Sequence, residues 1–256
     1  MSTNLTDLEY EQLEQEEHNL TEEALAIMLA MLLVLQDDFE KELRSLYQKY
    51  GKDGVITNAD LNKWVSEEDH TRRRTVLTLF ISNKFDELYN NLTPEFKQFL
   101  TLVIDNEMDF FNVQVDDYKV LNTPWGSDDA TWETRLADDV SLWKYMVLLD
   151  LKRSFSRKEH IDKVLERLDK RFDSMENVLE ALAISETTAI GSITRRQIFR
   201  ELGVKKYRFY ARADERTCKE CGSLHGLVFP ISAYEVGVTA SPIHARCRCW
   251  EVPIYD

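Results

Sequence analysis

The sequence has few of the residues that end helices, since only 8 glycines and 5 prolines occur in 256 residues. This scarcity favours long helices over many tight turns. The composition is otherwise that of an ordinary soluble globular protein, with 43% hydrophobic and 30% charged residues. The length allows one large domain or two modest ones with a substantial core.

Basic residues are also few, since the sequence has 32 lysines and arginines but 46 acidic residues, which gives a net charge of −14. Neutralising phosphates requires lysine and arginine, so a general nucleic-acid binder is disfavoured and any DNA contact needs a local basic patch. Residues 1–23 contain acidic residues but no lysine or arginine. We interpret them as an acidic N-terminal arm, either a solvated terminus or a surface for a basic partner.

Long hydrophobic runs are missing as well. The first apolar run, Ala24 to Leu35, is shorter than the about 20 residues that cross a bilayer. It follows an acidic segment rather than a basic one, which does not fit a secretory signal. We therefore expect no membrane contact and a buried helix there, covered by other helices or by a partner subunit.

The periodicity of apolar residues predicts a mainly α fold, a helical body followed by a small zinc-stapled α+β C-terminal module. Turn formers at Asn122–Asp129 predict a domain boundary. We expect an arm at 1–23, a helical domain at 24–123 and a second domain at 124–256, helical over 124–203 and a small β and zinc-knuckle module over 204–256. Helices are predicted over about 19–50, 57–64, 70–91, 94–119, 131–154, 158–172 and 174–200, and strand-like segments at 207–212, 227–229 and 249–252.

Cysteine is absent before Cys218, and all four cysteines lie between Asp214 and Pro253. Cys218 and Cys221 form C-x-x-C, which lets both sulfurs reach one ion from a tight turn. Cys247 and Cys249 would share a face if they lay on a strand. Four such ligands predict a structural zinc ion with no open position, and His244 is a possible substitute ligand. Disulfides are the main alternative, and a redox-active C-x-x-C lacks the expected βαβ context.

A basic stretch precedes the cysteines, with nine basic and three acidic residues between Arg195 and Lys219. Aromatic residues are interleaved with these charges. The stretch is either a solvated face that pairs with the acidic body or a contact for nucleic-acid backbone. The candidate contacts are Arg195, Arg196, Arg200, Lys205, Lys206, Arg208 and Arg212.

Four features of the C-terminal half resemble the phage Mu F-like minor head proteins, also called phage head morphogenesis proteins. They are A-I-S-E-T-T-A at 183–189, D-E-R-T-C-x-x-C at 214–221, L-H-G at 224–226 and P-x-H-x-x-C-R-C at 242–249. The sequence departs from the family pattern at Ile184, where arginine is usual, at Phe209, where tryptophan is usual, and in lacking a proline after His244. No predicted ligand is lost.

The resemblance implies a non-enzymatic minor capsid protein of a tailed phage or prophage. Such a protein binds the portal during procapsid assembly, in the host cytoplasm. It then lies inside the virion near the portal vertex and assists DNA packaging or ejection. Phage DNA, scaffold and major capsid protein are further possible partners.

Two other functions fit the sequence less well. One is a metal-dependent DNA nuclease with a structural zinc and an active site at Asp214, Glu215, His225 and His244. No HNH-type arrangement follows the C-x-x-C, and a catalytic metal needs an open coordination site. The other is a transcription-like DNA-binding module, which the net charge and the missing helix-turn-helix disfavour.

Overall fold

The computed structural model describes residues 7–56, 72–212 and 214–255, with side chains for 9–56, 78–212 and 214–255. The fold is mainly α with a small C-terminal sheet, as predicted. The predicted helix at 57–64 and the side chains of the basic run 72–74 lie outside the described residues. The helices are α1 (Asp7–Tyr50), α2 (Arg72–Phe111), α3 (Asp117–Leu121), α4 (Trp132–Ser156), α5 (Ile161–Glu201) and α6 (Lys219–Leu224), and the strands are β1 (Lys206–Tyr210), β2 (Val228–Pro230) and β3 (Trp250–Ile254).

Two of the helices join segments that the sequence pattern predicts as separate helices. Helix α2 continues through Pro94 instead of starting there, although proline removes one backbone hydrogen bond. Its apolar stripe continues on both sides of the proline, with Leu92 and Phe96 fully buried. Helix α5 likewise joins the two helices predicted at 158–172 and 174–200, because no glycine or proline interrupts the stripe of Phe172, Met175 and Leu179.

The chain divides into two compact units that are discontinuous in sequence. Unit 1 comprises residues 1–26, 95–135 and 180–256, and unit 2 comprises residues 27–94 and 136–179. The long helices α1, α2, α4 and α5 each contribute a segment to both units. The units are separated within helices, whereas the sequence-based domains are separated between them. The domain boundaries expected at residues 24 and 124 therefore stay predictions.

The described part of unit 2 is mostly helical and is built around aromatic side chains. The ring of Phe39 on α1 lies 5.8 Å from that of Phe85 on α2 and 6.2 Å from that of Phe172 on α5. Tyr47 packs against Phe155 of α4 in the same unit. Aromatic pairs at these separations add stability beyond the area they bury.

Unit 1 carries the sheet, in which the order of strands is β2-β1-β3 and both pairings are antiparallel. Tyr207 of β1 is the residue opposite Phe229 of β2 and Pro253 of β3. Tyr207 and Phe209 are buried while Lys206 and Arg208 are exposed, which is the alternation expected of a strand with one solvated face. The sheet therefore places one row of β1 side chains in the core and the basic row in solvent.

The apolar segment of α1 is buried along one stripe only. Met28, Leu32 and Leu35 are buried, whereas Leu33 and Val34 are 54% and 64% exposed. By length and composition alone, α1 could cross a membrane, since it contains an 18-residue window of mean hydropathy 1.5, of which 28% is buried. A core helix of a soluble protein passes the same test, so this is weak evidence for a span.

Candidate metal centre

The four cysteines and His244 lie together in unit 1, and we call these five residues the cysteine cluster. Cys218 is the N-cap of α6, where its sulfur accepts a hydrogen bond from the backbone N–H of Cys221. His244 and Cys247 lie on the turn that precedes β3, and the backbone N–H of Cys247 donates to the carbonyl of His244 at 3.1 Å. Two tight turns that are distant in sequence thus bring the donor atoms to one place.

Donor atoms in the cluster approach closely enough to share an ion. Nε2 of His244 lies 3.2 Å from the sulfurs of both Cys218 and Cys221. The sulfurs of Cys221 and Cys247 are 3.7 Å apart. The donors form two groups of three, Cys218–Cys221–His244 and Cys221–Cys247–Cys249. Within each group, all the donor atoms lie within 4.8 Å of one another, and Cys221 belongs to both groups. All four cysteines are free thiols, so the cluster is able to bind a metal ion.

Local hydrogen bonds favour the thiolate form of two of the cysteines, Cys247 and Cys218, and the thiolate is the form that binds metals. The thiol of Cys249 donates to Cys247 and lowers the pKa of Cys247 to about 5. The backbone N–H of Cys221 lowers the pKa of Cys218. Burial raises the pKa of Cys221. Because a thiolate and not a thiol is the ligand, a bound cation would complete the deprotonation of such a site.

Helix α5 holds the cluster through the hydroxyls of the S-E-T-T motif. Ser185 accepts a hydrogen bond from the backbone N–H of Arg246 at 2.9 Å, and Thr188 donates to the carbonyl of Cys247 at 2.8 Å. Arg246 has a positive φ of 59°, which a turn requires and which few non-glycine residues adopt. The two hydroxyls therefore fix the backbone of the turn that carries His244 and Cys247.

Glu186, the acidic residue of the same motif, ties the predicted boundary loop to α5. Its carboxylate accepts hydrogen bonds from the indole of Trp125 at 2.9 Å and from Arg135 at 2.7 Å. The guanidinium of Arg135 also lies over the Trp125 ring, 4.2 Å from its centroid, and pairs with Asp128. The Glu186 side chain is 1% exposed, so this contact is a buried ion pair with a cation–π component.

Arg195 lies at the centre of a buried charge cluster rather than on the surface. Its guanidinium is 3% exposed and contacts Glu14 and Glu17 of α1, Glu107 of α2 and Glu251 of β3. Burial raises the pKa values of Glu14, Glu107 and Glu251, although the charge of Arg195 opposes the rise. The acidic N-terminal arm is therefore helical from Asp7 onward and packs in unit 1.

The other predicted nucleic-acid contacts differ in exposure. Arg196 and Arg212 are half-buried, and Arg212 faces Asp214. The exposed members are Arg200, Lys205, Lys206 and Arg208. The burial of Arg195 removes it from the set that could meet a phosphate, which the local run of charges could not show.

A cleft of about 140 Å³ adjoins these residues in unit 1. Arg212, Arg216 and Arg248 line it, together with Thr187 and Thr188 of α5. The N-terminal part of α1 contributes Glu14, Glu17, His18 and Glu22 to the same cleft. Three of the nine basic residues of that stretch, Arg195, Arg212 and Arg216, therefore face the acidic arm, as expected for charges that pair with the acidic body.

Three of the four residues considered for a nuclease site, Asp214, His225 and His244, have other contacts. Asp214 pairs with Arg248 at 2.8 Å, and Nδ1 of His225 accepts a hydrogen bond from the backbone N–H of Ala211. His244 belongs to the cysteine cluster, and Glu215 is exposed. Among the described residues, the groups of three or more donors that could share an ion contain only cysteine and histidine.

The architecture and the site define a class of protein, a helical body with a small C-terminal sheet module that carries a cysteine and histidine cluster able to bind a metal ion. Residues 146–252 match the family described as Phage Mu protein F like protein. This match confirms the resemblance over residues 146–252. No curated protein and no solved structure matches the chain.

Proposed function

We propose that the protein is a non-enzymatic minor capsid protein of a tailed phage or prophage. It binds the portal during procapsid assembly, lies inside the capsid near the portal vertex and assists DNA packaging or ejection. The observation that carries this proposal is the family match over residues 146–252, which spans both the S-E-T-T motif and the cysteine cluster. In the structure these two motifs form one hydrogen-bonded assembly rather than separate sites.

The cysteine cluster holds a structural zinc ion in this proposal. Thiolate and imidazole donors are the ligands that zinc prefers, and four of them leave no position for a substrate. The segment that the ion would staple has only a small apolar core, formed by Phe209, Ala211 and the buried cysteines. Metal binding contributes directly to the folding of such a segment. The role of the ion is thus to fix the module on α5.

DNA contact, if the protein assists packaging, falls to the exposed basic residues. Lys206 and Arg208 lie on the solvated face of β1, and Arg200 and Lys205 are exposed just before that strand. Aligned cations of this kind bind phosphate without reading sequence. The net charge of −14 confines such contact to this patch.

Co-sedimentation with portal rings tests the proposed function directly. We expect the purified chain to sediment with rings of the portal protein of the same phage or prophage, and to leave plasmid DNA intact with Mg²⁺ or Mn²⁺. A failure to sediment with the rings would count against the portal role. Metal-dependent cutting that disappears in His225→Ala or His244→Ala would instead establish the nuclease.

A charge-reversal variant separates DNA contact from portal binding. The triple change Lys205→Glu, Lys206→Glu and Arg208→Glu should weaken DNA binding and flatten its salt dependence by about 0.9 logarithmic units per lost phosphate contact. Portal binding should be unaffected. A matched triple reversal at exposed lysines elsewhere, Lys41, Lys49 and Lys170, carries the same change in net charge. Equal losses in both variants would show that net charge, and not this patch, governs the interaction.

A further inference from the structure

We propose that Cys218, Cys221, His244 and Cys247 hold the zinc ion, and that Cys249 is a buried thiol outside the coordination sphere. This inference rests on the zinc proposed above and deepens it by naming the four ligands. It makes His244 a ligand in its own right, where the sequence pattern alone favours Cys249.

The first argument is that the four ligands form two pairs of the same kind. Cys218 and Cys221 are separated by two residues, and a turn closes between them because the N–H of Gly222 donates to the carbonyl of Cys218 at 2.9 Å. His244 and Cys247 have the same separation on a tighter turn, in which the N–H of Cys247 donates to the carbonyl of His244 at 3.1 Å. Pairs of ligands on tight turns are typical of closed structural zinc sites.

The second argument is the orientation of the His244 ring. Nδ1 lies 2.8 Å from the carbonyl oxygen of Ala245. A carbonyl can only accept, so Nδ1 is the donor there, and in the neutral ring Nε2 then carries the lone pair that binds a metal. Nε2 lies 3.2 Å from the sulfurs of both Cys218 and Cys221. Metal-binding histidines characteristically donate their other ring N–H to a carbonyl in this way.

The third argument distinguishes Cys247 from Cys249. Zn–S bonds of about 2.3 Å place two sulfurs about 3.8 Å apart across a tetrahedral edge. The 3.7 Å between Cys221 and Cys247 matches that edge. Cys247 and Cys249 both pack in the apolar cluster with Phe209, at 1% and 5% exposure, and they differ in that Thr188 anchors the carbonyl of Cys247.

The reason for expecting Cys249 as a ligand also fails in the structure. Residues i and i+2 share a face only on a strand, and β3 begins at Trp250. Cys247 ends a turn, so its side chain and that of Cys249 are not related by strand alternation. The sulfur of Cys249 remains within 4.8 Å of those of Cys221 and Cys247, near enough to support ligand thiolates from outside.

The test compares zinc content and cobalt spectra of the full chain, purified under reducing conditions, with single variants. Cys249→Ser should keep one zinc per chain, lose no more than about 100-fold in affinity and leave the Co²⁺ spectrum unchanged, because partners outside the coordination sphere cost about 10–100-fold in metal affinity. His244→Ala should lose more than about 100-fold in affinity, beyond the range of supporting groups. His244→Cys should regain tight binding and add a fourth thiolate-to-cobalt charge-transfer contribution.

Cys218→Ser is the positive control, since it removes a ligand under either assignment. Zinc retained by His244→Ala and lost from Cys249→Ser would overturn the proposed ligand set and establish four cysteine ligands. A His244→Cys spectrum identical to that of the parent would do the same without depending on how well His244→Ala folds. A parent chain with well under one zinc would refute the structural zinc itself, so the two failures are distinguishable.

Discussion

The charge cluster around Arg195 predicts an unusual dependence of stability on pH. Glu107 is fully buried, one of its oxygens contacts Arg195, and the other oxygen has no hydrogen-bond partner among the described residues. Burial raises the pKa of Glu107 well above its ordinary value, and the pKa values of Glu14 and Glu251 shift in the same direction. The folded protein therefore binds protons at pH values where the unfolded chain has released them.

The sign of the effect follows from linkage. Because the folded pKa is the higher one, the stabilising contribution is complete below the unfolded pKa of about 4.3 and is lost as pH rises through the raised pKa. Each proton held only by the folded state changes the free energy of unfolding by about 1.4 kcal/mol per pH unit. The three carboxyls titrate as a coupled set, so the slope belongs to the cluster rather than to one residue.

The substitution Glu107→Gln isolates this effect, since glutamine imitates the protonated carboxyl in shape and cannot ionise. We expect the free energy of unfolding of Glu107→Gln to rise relative to that of the parent as pH increases above 5, by up to about 1.4 kcal/mol per pH unit. Urea unfolding followed by tryptophan fluorescence at several pH values measures the difference. Glu95→Gln, an exposed site on the same helix, is the matched control. A difference between Glu107→Gln and the parent that stays constant or shrinks with rising pH would refute the reasoning.

Three further predictions concern the module itself. Glu186→Ala should destabilise the protein by about 3 kcal/mol, because it leaves the largely buried Arg135 without its carboxylate, and the emission of Trp125 should shift. Ser185→Ala and Thr188→Val should each lower the free energy of unfolding by about 1–2 kcal/mol, because each removes a hydrogen bond to the turn. Denaturant titration measures this loss. A loss of stability in Ser185→Ala no larger than that in an exposed serine variant would contradict the anchoring role. Removing the metal with a chelator should lower the melting temperature, and adding zinc should restore it, whereas an unchanged melting temperature would contradict the staple.

Parts of the fold were predictable because they depend on local sequence. The strands at Lys206–Tyr210 and Trp250–Ile254 follow from alternating apolar residues, and the helices follow from the apolar period. The proximity of Cys218 and Cys221 follows from their spacing in a turn. Helix ends at Pro94 and Ser174 were predicted wrongly, because the continuous burial of neighbouring apolar residues outweighs the local tendency to stop.

Sequence by itself determined the class of fold, the position of the cysteine cluster and the relation to phage Mu F-like proteins, since each rests on residues close together along the chain. Only the tertiary structure decided that Arg195 is buried among acids, one of which, Glu14, is separated from it by 181 positions. It also decided that Ser185 and Thr188 hold the turn before β3 and that His244 faces two cysteines. Spacing and composition report on neighbours in the chain, whereas these contacts join segments that only folding brings together.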